Sequence, residues 1–183
     1  PGELPQIVRE PKKRPLIYVG MGSSGSARIL AAVLRQLSTA PVDVLVGDGV
    51  LLADADARSL GDNIHRAGTV PAHLLAGHID ASITHGGEGT VQTACLVGVP
   101  FAGIAMQAEQ RWNIEECVRY GNALRFAKHD VHRGQMHGIL DRLLSDETMR
   151  AKARQLSKAM RGMDGPTRAV EVIEGYLKDC NPA

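Results

Sequence analysis

The strongest constraint on the fold is a unit that occurs twice: a short apolar run, a glycine-rich turn and a stretch with helical spacing. Residues 16–19 form the first apolar run and residues 81–84 the second. Aliphatic runs this short, bounded by turn residues, are typical of buried parallel strands. Glycine after such a run lets the backbone turn sharply into a helix. The two units therefore predict parallel strands that each lead into a helix.

Composition places the chain among ordinary globular proteins. Its 183 residues are 44% hydrophobic and 22% charged, enough for one domain with its own core, and only 3% are aromatic. A net charge of +1 without a basic stripe argues against nucleic acid as a partner. No apolar run could span a bilayer and no signal peptide is visible, so we expect a cytoplasmic protein. Three widely spaced cysteines predict free thiols: Cys95, Cys117 and Cys180.

Apolar runs and helical stretches alternate as far as Tyr120. The alternation predicts an α/β fold: a Rossmann-like, doubly wound, mostly parallel sheet with helices on both faces. After Gly121, expected as a helix C-cap, only helices are expected, and residues 51–57 fit no single structure. The predicted strands are residues 16–19, 42–46, 63–69, 81–84 and 101–105. One predicted helix begins at Ser26. The others cover residues 72–76, 91–97, 110–120, 131–144, 147–163 and 166–178.

The first fifteen residues differ in composition from the rest. They are polar, punctuated by proline and include the basic cluster Lys12-Lys13-Arg14, which we expect to be solvated. The sequence also opens at Pro1 without a methionine. We therefore predict an interdomain linker at residues 1–15, one domain at residues 16–183, and a longer parent protein.

Residues 85–90 predict an anion site. His85 and three glycines follow a predicted strand, and Thr90 opens the helix after it. Unpaired backbone N–H groups and the positive end of the helix dipole then point at one place, where phosphate is the usual occupant. A tight turn is the alternative, but a turn requires neither the histidine nor the hydroxyl.

Residues 20–25 match the pattern G-x-G-x-x-G between a strand and a helix. Ser23 and Ser24 add hydroxyl donors for a phosphate. A nicotinamide cofactor is the second interpretation, with Asp48 on its ribose, although the spacing to Asp48 exceeds the usual 20 residues or so. Because both glycine-rich turns lie at carboxyl ends of parallel strands, they can meet in one crevice.

Glu109 and Gln110 follow the predicted strand at residues 101–105, where a carboxylate beside an amide suits the hydroxyls of a sugar. Glu109 fits equally well as a helix-start charge favoured by the dipole. Trp112, the only tryptophan, either packs under a ligand or, more commonly, anchors its helix in the core. Three later histidines lack partners at ligand spacing, so no metal site is predicted at His129, His132 and His137.

Taken in order, several motifs resemble the C-terminal half of the family 1 nucleotide-sugar glycosyltransferases, which have the GT-B fold. The likeness covers nearly the whole chain from about Pro15, and the ordered combination is more specific than any one motif. The motifs are Gly-x-Gly-Ser-Ser at 20–24, Val-Pro at 70–71, Thr-His-Gly-Gly-x-Gly-Thr at 84–90, Gly-Val-Pro at 98–100 and Glu-Gln-x-x-Asn at 109–113.

The resemblance implies a role for each motif in holding a nucleoside diphosphate sugar. It assigns the diphosphate to His85, to Ser23 and to the amides of Gly87, Glu88, Gly89 and Thr90. It assigns the donor sugar to Glu109 and Gln110, and the base to the backbone of Thr69 and Val70. Many relatives have an aromatic residue at position 69, glutamine at 72 and aspartate at 109, so UDP or dTDP and the sugar both stay open.

The implied reaction is displacement of the nucleoside diphosphate by an acceptor hydroxyl, with inversion and with neither metal nor cofactor. The general base belongs to an N-terminal acceptor domain outside this sequence, so we expect no catalytic residue here and no transfer by this chain alone. The family's final helix crosses to that domain, so its apolar face is expected to be exposed here and to promote self-association. A single-domain subunit of a split glycosyltransferase and an NAD-dependent oxidoreductase are the alternatives.

Overall fold

A computed structural model describes residues 3–47, 52 and 58–180 of the chain. Asp48 and all but one of residues 51–57 lie outside this described part. The strands are β1 (Leu16–Gly20), β2 (Asp43–Val46), β3 (Ile64–Arg66), β4 (Ala81–Thr84), β5 (Phe101–Gly103) and β6 (Ala123–Arg125). The helices are α1 (Gln6–Arg9), α2 (Ala27–Leu37), α3 (Glu88–Val97), α4 (Ala108–Tyr120), α5 (Lys128–His132), α6 (Met136–Ser145), α7 (Glu147–Arg161) and α8 (Gly165–Cys180), with a 3-10 turn at Ala72–Leu74.

All six strands form one parallel sheet in the order β3-β2-β1-β4-β5-β6. Along β1, Ile17 and Val19 pack with α2 on one face, while Leu16 and Tyr18 join a second apolar cluster on the other. This alternation buries both faces of the sheet, as crossover helices require. The predicted doubly wound α/β fold is confirmed.

Two predictions for the segment after Gly121 are wrong. Residues 123–125 form the edge strand β6 rather than part of a helix, and they are too few to show a period in the sequence. The single helix expected at residues 131–144 is instead α5 and α6. Gly134 separates them with a φ of 76°, a conformation that ends a helix and that glycine adopts without strain.

The segment before β1 contacts the domain although its basic cluster stays exposed. Val8 of α1 is buried, the ammonium of Lys12 lies 2.9 and 3.0 Å from the two carboxylate oxygens of Asp80, and Arg14 Nη2 donates to Asp43 Oδ1 over 2.8 Å. Lys12 and Arg14 are thus exposed, as predicted, but each is paired with a carboxylate of the domain. Among the helices of the described residues, none is both long and apolar enough to cross a membrane.

Candidate functional site

The sheet order creates one crevice at the carboxyl ends of β1 and β4. These strands are neighbours, with Gly20 in register with Thr84, yet the chain leaves them for opposite faces of the sheet. Helix α2 follows β1 on one face and α3 follows β4 on the other. Ligands bind at such a reversal of strand order in open parallel sheets. Both predicted anion turns open at this point.

The imidazole of His85 lies between the two turns. Gly22 has a φ of 57°, and a Cβ placed on it would overlap Cε1 of His85. A Cβ placed on Gly87 would lie 2.6 Å from Nε2 of the same ring. Both glycines are therefore required for the ring to fit, and His85 itself is only 5% exposed. The prediction that the two turns meet is confirmed.

Gln110 joins a third loop to this arrangement. Its Nε2 donates to Ser24 Oγ over 2.9 Å, and its Oε1 accepts from the backbone N–H groups of Met106 and Gln107 over 2.8 and 3.2 Å. Since the side chain is 1% exposed and bonded at both ends, it faces the protein rather than the crevice. Gln110 thus holds the turn after β1, whereas the neighbouring Glu109 is exposed.

Asn113 orients two parts of the site, a role that sequence reasoning missed. Its Nδ2 donates to the carbonyl of Gly86 over 3.1 Å and to Glu109 Oε1 over 2.8 Å. The side-chain amide of Asn113 therefore holds in place both the turn after β4 and the exposed carboxylate of Glu109. The available signal was the spacing of four residues from Glu109, which places both side chains on the same side of a helix.

The start of α3 is open to an anion. Its N-cap residue is Gly87, which has no side chain to cap the helix, and a Cβ placed on Gly89 would meet nothing within 4 Å. The amides of Glu88 and Gly89 precede the first turn of intrahelical bonds and are the donors at the helix's positive end. The N–H and the hydroxyl of Thr90, both predicted as donors to the anion, donate instead to the carbonyl of Gly87, over 3.0 and 2.7 Å.

The segment predicted to meet the base lies beside α3. A small apolar cavity of about 70 Å³ lies between the 3-10 turn and the first turns of α3, and Ala72, Leu75, Thr90 and Thr93 are among the residues that line it. Thr69 is exposed, while the side chain of Val70 is buried and its carbonyl accepts from Ala72 N–H over 2.8 Å. Exposed Ser23 lies in the turn after β1. The structure thus brings the predicted site residues to one edge of the sheet.

The core position considered for Trp112 is wrong. Trp112 lies in the first turns of α4 but is 69% exposed, because the inward side of this helix carries Gln110, Ile114 and Cys117. Within the described part of the chain, no three histidine, cysteine or acidic side chains come together as metal ligands.

Comparison with known sequences identifies relatives of this chain. A sequence model for the family described as erythromycin biosynthesis protein CIII-like, C-terminal domain, matches residues 32–175. The PGL/p-HBAD biosynthesis rhamnosyltransferase of Mycobacterium tuberculosis (strain CDC 1551 / Oshkosh) is 27% identical over 149 residues, which cover 81% of this chain and 32% of that protein. Demethyllactenocin mycarosyltransferase of Streptomyces fradiae is 27% identical over 166 residues, 90% of this chain and 36% of that protein. The chain spans about a third of the length of these curated relatives.

Solved structures agree with the predicted half of a GT-B fold. Spinosyn forosaminyltransferase SpnP superposes with a TM-score of 0.80 at 23% identity, covering 97% of this chain and 47% of that chain. The glycosyltransferase VinC, crystallised in complex with dTDP, superposes with a TM-score of 0.72 at 26% identity, covering 86% and 40%. The fold is that of glycosyltransferase structures, and the chain belongs to the erythromycin biosynthesis protein CIII-like, C-terminal domain family.

Proposed function

We propose that this chain is the donor-binding domain of an inverting glycosyltransferase and that it holds a UDP or dTDP sugar. The observation that carries the proposal is the position of the His85 ring, clamped between two glycine turns beside a helix start that lacks a side-chain cap. Nucleoside diphosphates need several fixed donors around one crevice, and helix starts supply them. VinC, the similar structure with dTDP, supports a nucleotide of this class.

Each residue of the crevice has a part in this proposal. The amides of Glu88 and Gly89 and the dipole of α3 hold one phosphate, and the hydroxyl of Ser23 reaches the diphosphate from the turn after β1. The ring of His85 lies between the two turns and donates a hydrogen bond to the same diphosphate. The carboxylate of Glu109, fixed by Asn113, accepts hydrogen bonds from sugar hydroxyls. The base lies against the backbone of residues 69 and 70, and Gln110 positions the turn that carries Ser23.

The same donors explain how departure of the nucleotide would be assisted. An acceptor hydroxyl attacks the anomeric carbon with inversion, the bond to the nucleoside diphosphate breaks, and negative charge grows on the departing phosphate. Donors already fixed in place stabilise that charge without reorganisation, and no metal or cofactor takes part in the proposed step. We assign the general base to an N-terminal acceptor domain, because the chain spans only about a third of its curated relatives. Alone, the chain is then inactive in transfer.

Calorimetry with UDP and dTDP tests the site. We expect the chain to bind one or both, and His85→Ala to weaken binding about tenfold or more, because a charge-assisted hydrogen bond contributes about 1.5–3 kcal/mol. His137→Ala is the matched control, since His137 contacts Thr39 on the far side of the domain. Equal affinity of wild type and His85→Ala would overturn the site. Tighter binding of NADH than of either nucleotide would favour the oxidoreductase instead.

The last helix supports the proposed partnership with a second domain. Apolar side chains on α8 are exposed in this chain: Val170, Val172, Ile173, Tyr176 and Leu177. An uncovered apolar face of this size is unusual for a helix in water and marks an interface. We propose that the N-terminal domain covers it in the whole protein, and that the 183-residue chain self-associates through it.

Light scattering at increasing concentration checks this self-association. We expect an average mass above the 19.6 kDa of one chain, and a return to 19.6 kDa in the double variant Ile173→Lys, Leu177→Lys. Glu171→Lys is the matched control, because it adds the same charge to α8 while leaving the apolar side chains in place. A wild-type chain that scatters as a monomer at every concentration would contradict the prediction.

A further inference from the structure

Two thiols that the proposed function does not use are in direct contact. Cys95 of α3 and Cys117 of α4 place their sulfur atoms 3.8 Å apart, and the side chains are buried, at 4% and 9% exposure. Both helices begin at the donor crevice, but these cysteines lie two or more turns away from it. The third cysteine, Cys180, is exposed near the end of α8.

The surroundings make the two thiols unequal. The Cys117 thiol, hydrogen-bonded to Cys95, lowers the pKa of Cys95, and Asn122 Nδ2 adds to this by donating to Cys95 Sγ over 3.6 Å. The same hydrogen bond, together with burial, raises the pKa of Cys117. Of the two thiols, Cys95 is therefore the one that loses its proton more readily, and oxidants attack a thiol in its thiolate form. Asn122 is fully buried, so its position beside the pair is fixed.

The distance between the sulfur atoms is close to that needed for a bond. A disulfide has a sulfur–sulfur length of about 2 Å, so side-chain rotation has to close less than 2 Å from the present separation. The two cysteines come from adjacent helices of one rigid layer, in a cluster that also contains Phe101 and Ile114. Bond formation therefore requires no change in the order or pairing of the elements.

We propose that Cys95 and Cys117 form a reversible disulfide site that reacts with hydrogen peroxide. The Cys95 thiolate attacks one peroxide oxygen, the O–O bond breaks, and Cys95 becomes a sulfenic acid while hydroxide leaves and takes up a proton as water. The Cys117 sulfur then attacks the Cys95 sulfur, the S–O bond breaks, and a second water leaves with the Cys117 proton. Two thiols lose two electrons in all, and one peroxide becomes two waters. A dithiol reductant reverses the reaction by exchange.

The consequence is a covalent tie between the helices that carry the turn after β4 and the Glu-Gln motif. A disulfide between them restricts the unfolded chain more than the folded one, so the oxidised form is more resistant to heat. The site does not depend on the proposed function, because neither sulfur reaches the crevice. Its failure would leave the nucleotide site untouched, and the reverse also holds.

Hydrogen peroxide on the reduced Cys180→Ser chain tests the proposal, since this variant removes the exposed thiol. After treatment with about a tenfold excess, thiols titrated in denaturant should fall from two to none and the intact mass should fall by about 2 Da. Dithiothreitol should restore both values. Peptide mapping should join the fragment with Cys95 to the fragment with Cys117, and the melting temperature of the oxidised form should rise by several degrees.

Adding Cys117→Ala to this variant supplies the control. Its single thiol cannot form an internal disulfide, so the loss of 2 Da should disappear while circular dichroism reports the fold. Should that variant fail to fold, the mass and the peptide map of Cys180→Ser still decide the question. Two thiols that survive peroxide, or a mass that rises by added oxygen without loss of two hydrogens, would overturn the proposal.

Discussion

Gly86→Ala should lower the free energy of unfolding by about 2–4 kcal/mol, because two separate costs fall on one position. Gly86 has a φ of 87°, a left-handed conformation that side chains rarely adopt. Its added Cβ would lie 2.5 Å from Ile114 Cδ1 and 2.7 Å from the carbonyl oxygen of Gln110. Helix α4 would have to move away from the turn after β4. Urea unfolding followed by circular dichroism measures the change.

Two further variants separate the causes. Gly138→Ala, in a helix where the new Cβ meets nothing within 4 Å, should stabilise the chain by about 0.5–1 kcal/mol. Ile114→Val in the Gly86→Ala background removes the Cδ1 methyl and should recover part of the loss, while the φ strain, the contact with Gln110 and the contact with the γ carbon of residue 114 remain. A Gly86→Ala chain within about 0.5 kcal/mol of wild type would show that α4 is not packed against this turn.

Gly22→Ala should weaken UDP or dTDP binding about a hundredfold while reducing stability by only about 1–2 kcal/mol. The new Cβ would overlap the His85 ring, and Gly22 also has a positive φ. Unlike Gly86, however, Gly22 lies in a turn whose serines are exposed, so that turn can move outward at the cost of the hydrogen bond between Ser24 and Gln110 instead of unfolding the domain. Ser23 would then leave the start of α3, and the two halves of the proposed diphosphate site would separate. Calorimetry and urea unfolding on the same sample measure both effects.

Gly77→Ala is the matched control for the strain alone. Gly77 has a φ of 80°, but a Cβ there meets nothing within 4 Å, and the residue precedes β4 at the edge of the sheet opposite the crevice. Gly77→Ala should lower the free energy of unfolding about as much as Gly22→Ala does, but it should leave the affinity for UDP or dTDP unchanged. If Gly22→Ala also kept full affinity, the two turns would not act together and the proposed site would be wrong.

Much of the fold could be predicted because buried strands and helix starts leave local signals. The strands before Gly20 and His85 were visible as aliphatic runs, and Gly121 ends α4 in the left-handed conformation expected of a C-cap. The segment after Gly121 lacks such signals. Three residues cannot display a strand period, and the apolar stripe from Val131 onward continues across Gly134 as if the two helices were one.

The position of the candidate site could be predicted from the sequence, but the hydrogen-bond partners of its side chains could not. Ser23, His85 and Glu109 follow three parallel strands, and the carboxyl ends of parallel strands lie at one edge of the sheet. Whether a polar group faces the crevice depends on its partners, which are far away in sequence. Gln110 bonds to Ser24 across 86 positions, and Asn113 bonds to Gly86 across 27. No local pattern reports such pairs, so the bracing roles of Gln110 and Asn113 emerged only from the structure.

The N-cap residue of α3 is Gly87, so the first turn of this helix has no side-chain acceptor for its N–H groups. In α2 and α7 the side chains of Ser26 and Asp146 supply that acceptor permanently. In the proposed complex the phosphate oxygens take that place, so the substrate completes the first turn of a helix in the protein that binds it. Binding of the nucleotide sugar and ordering of the first turn of α3 are then coupled. Departure of the nucleotide exposes the start of the helix to water again.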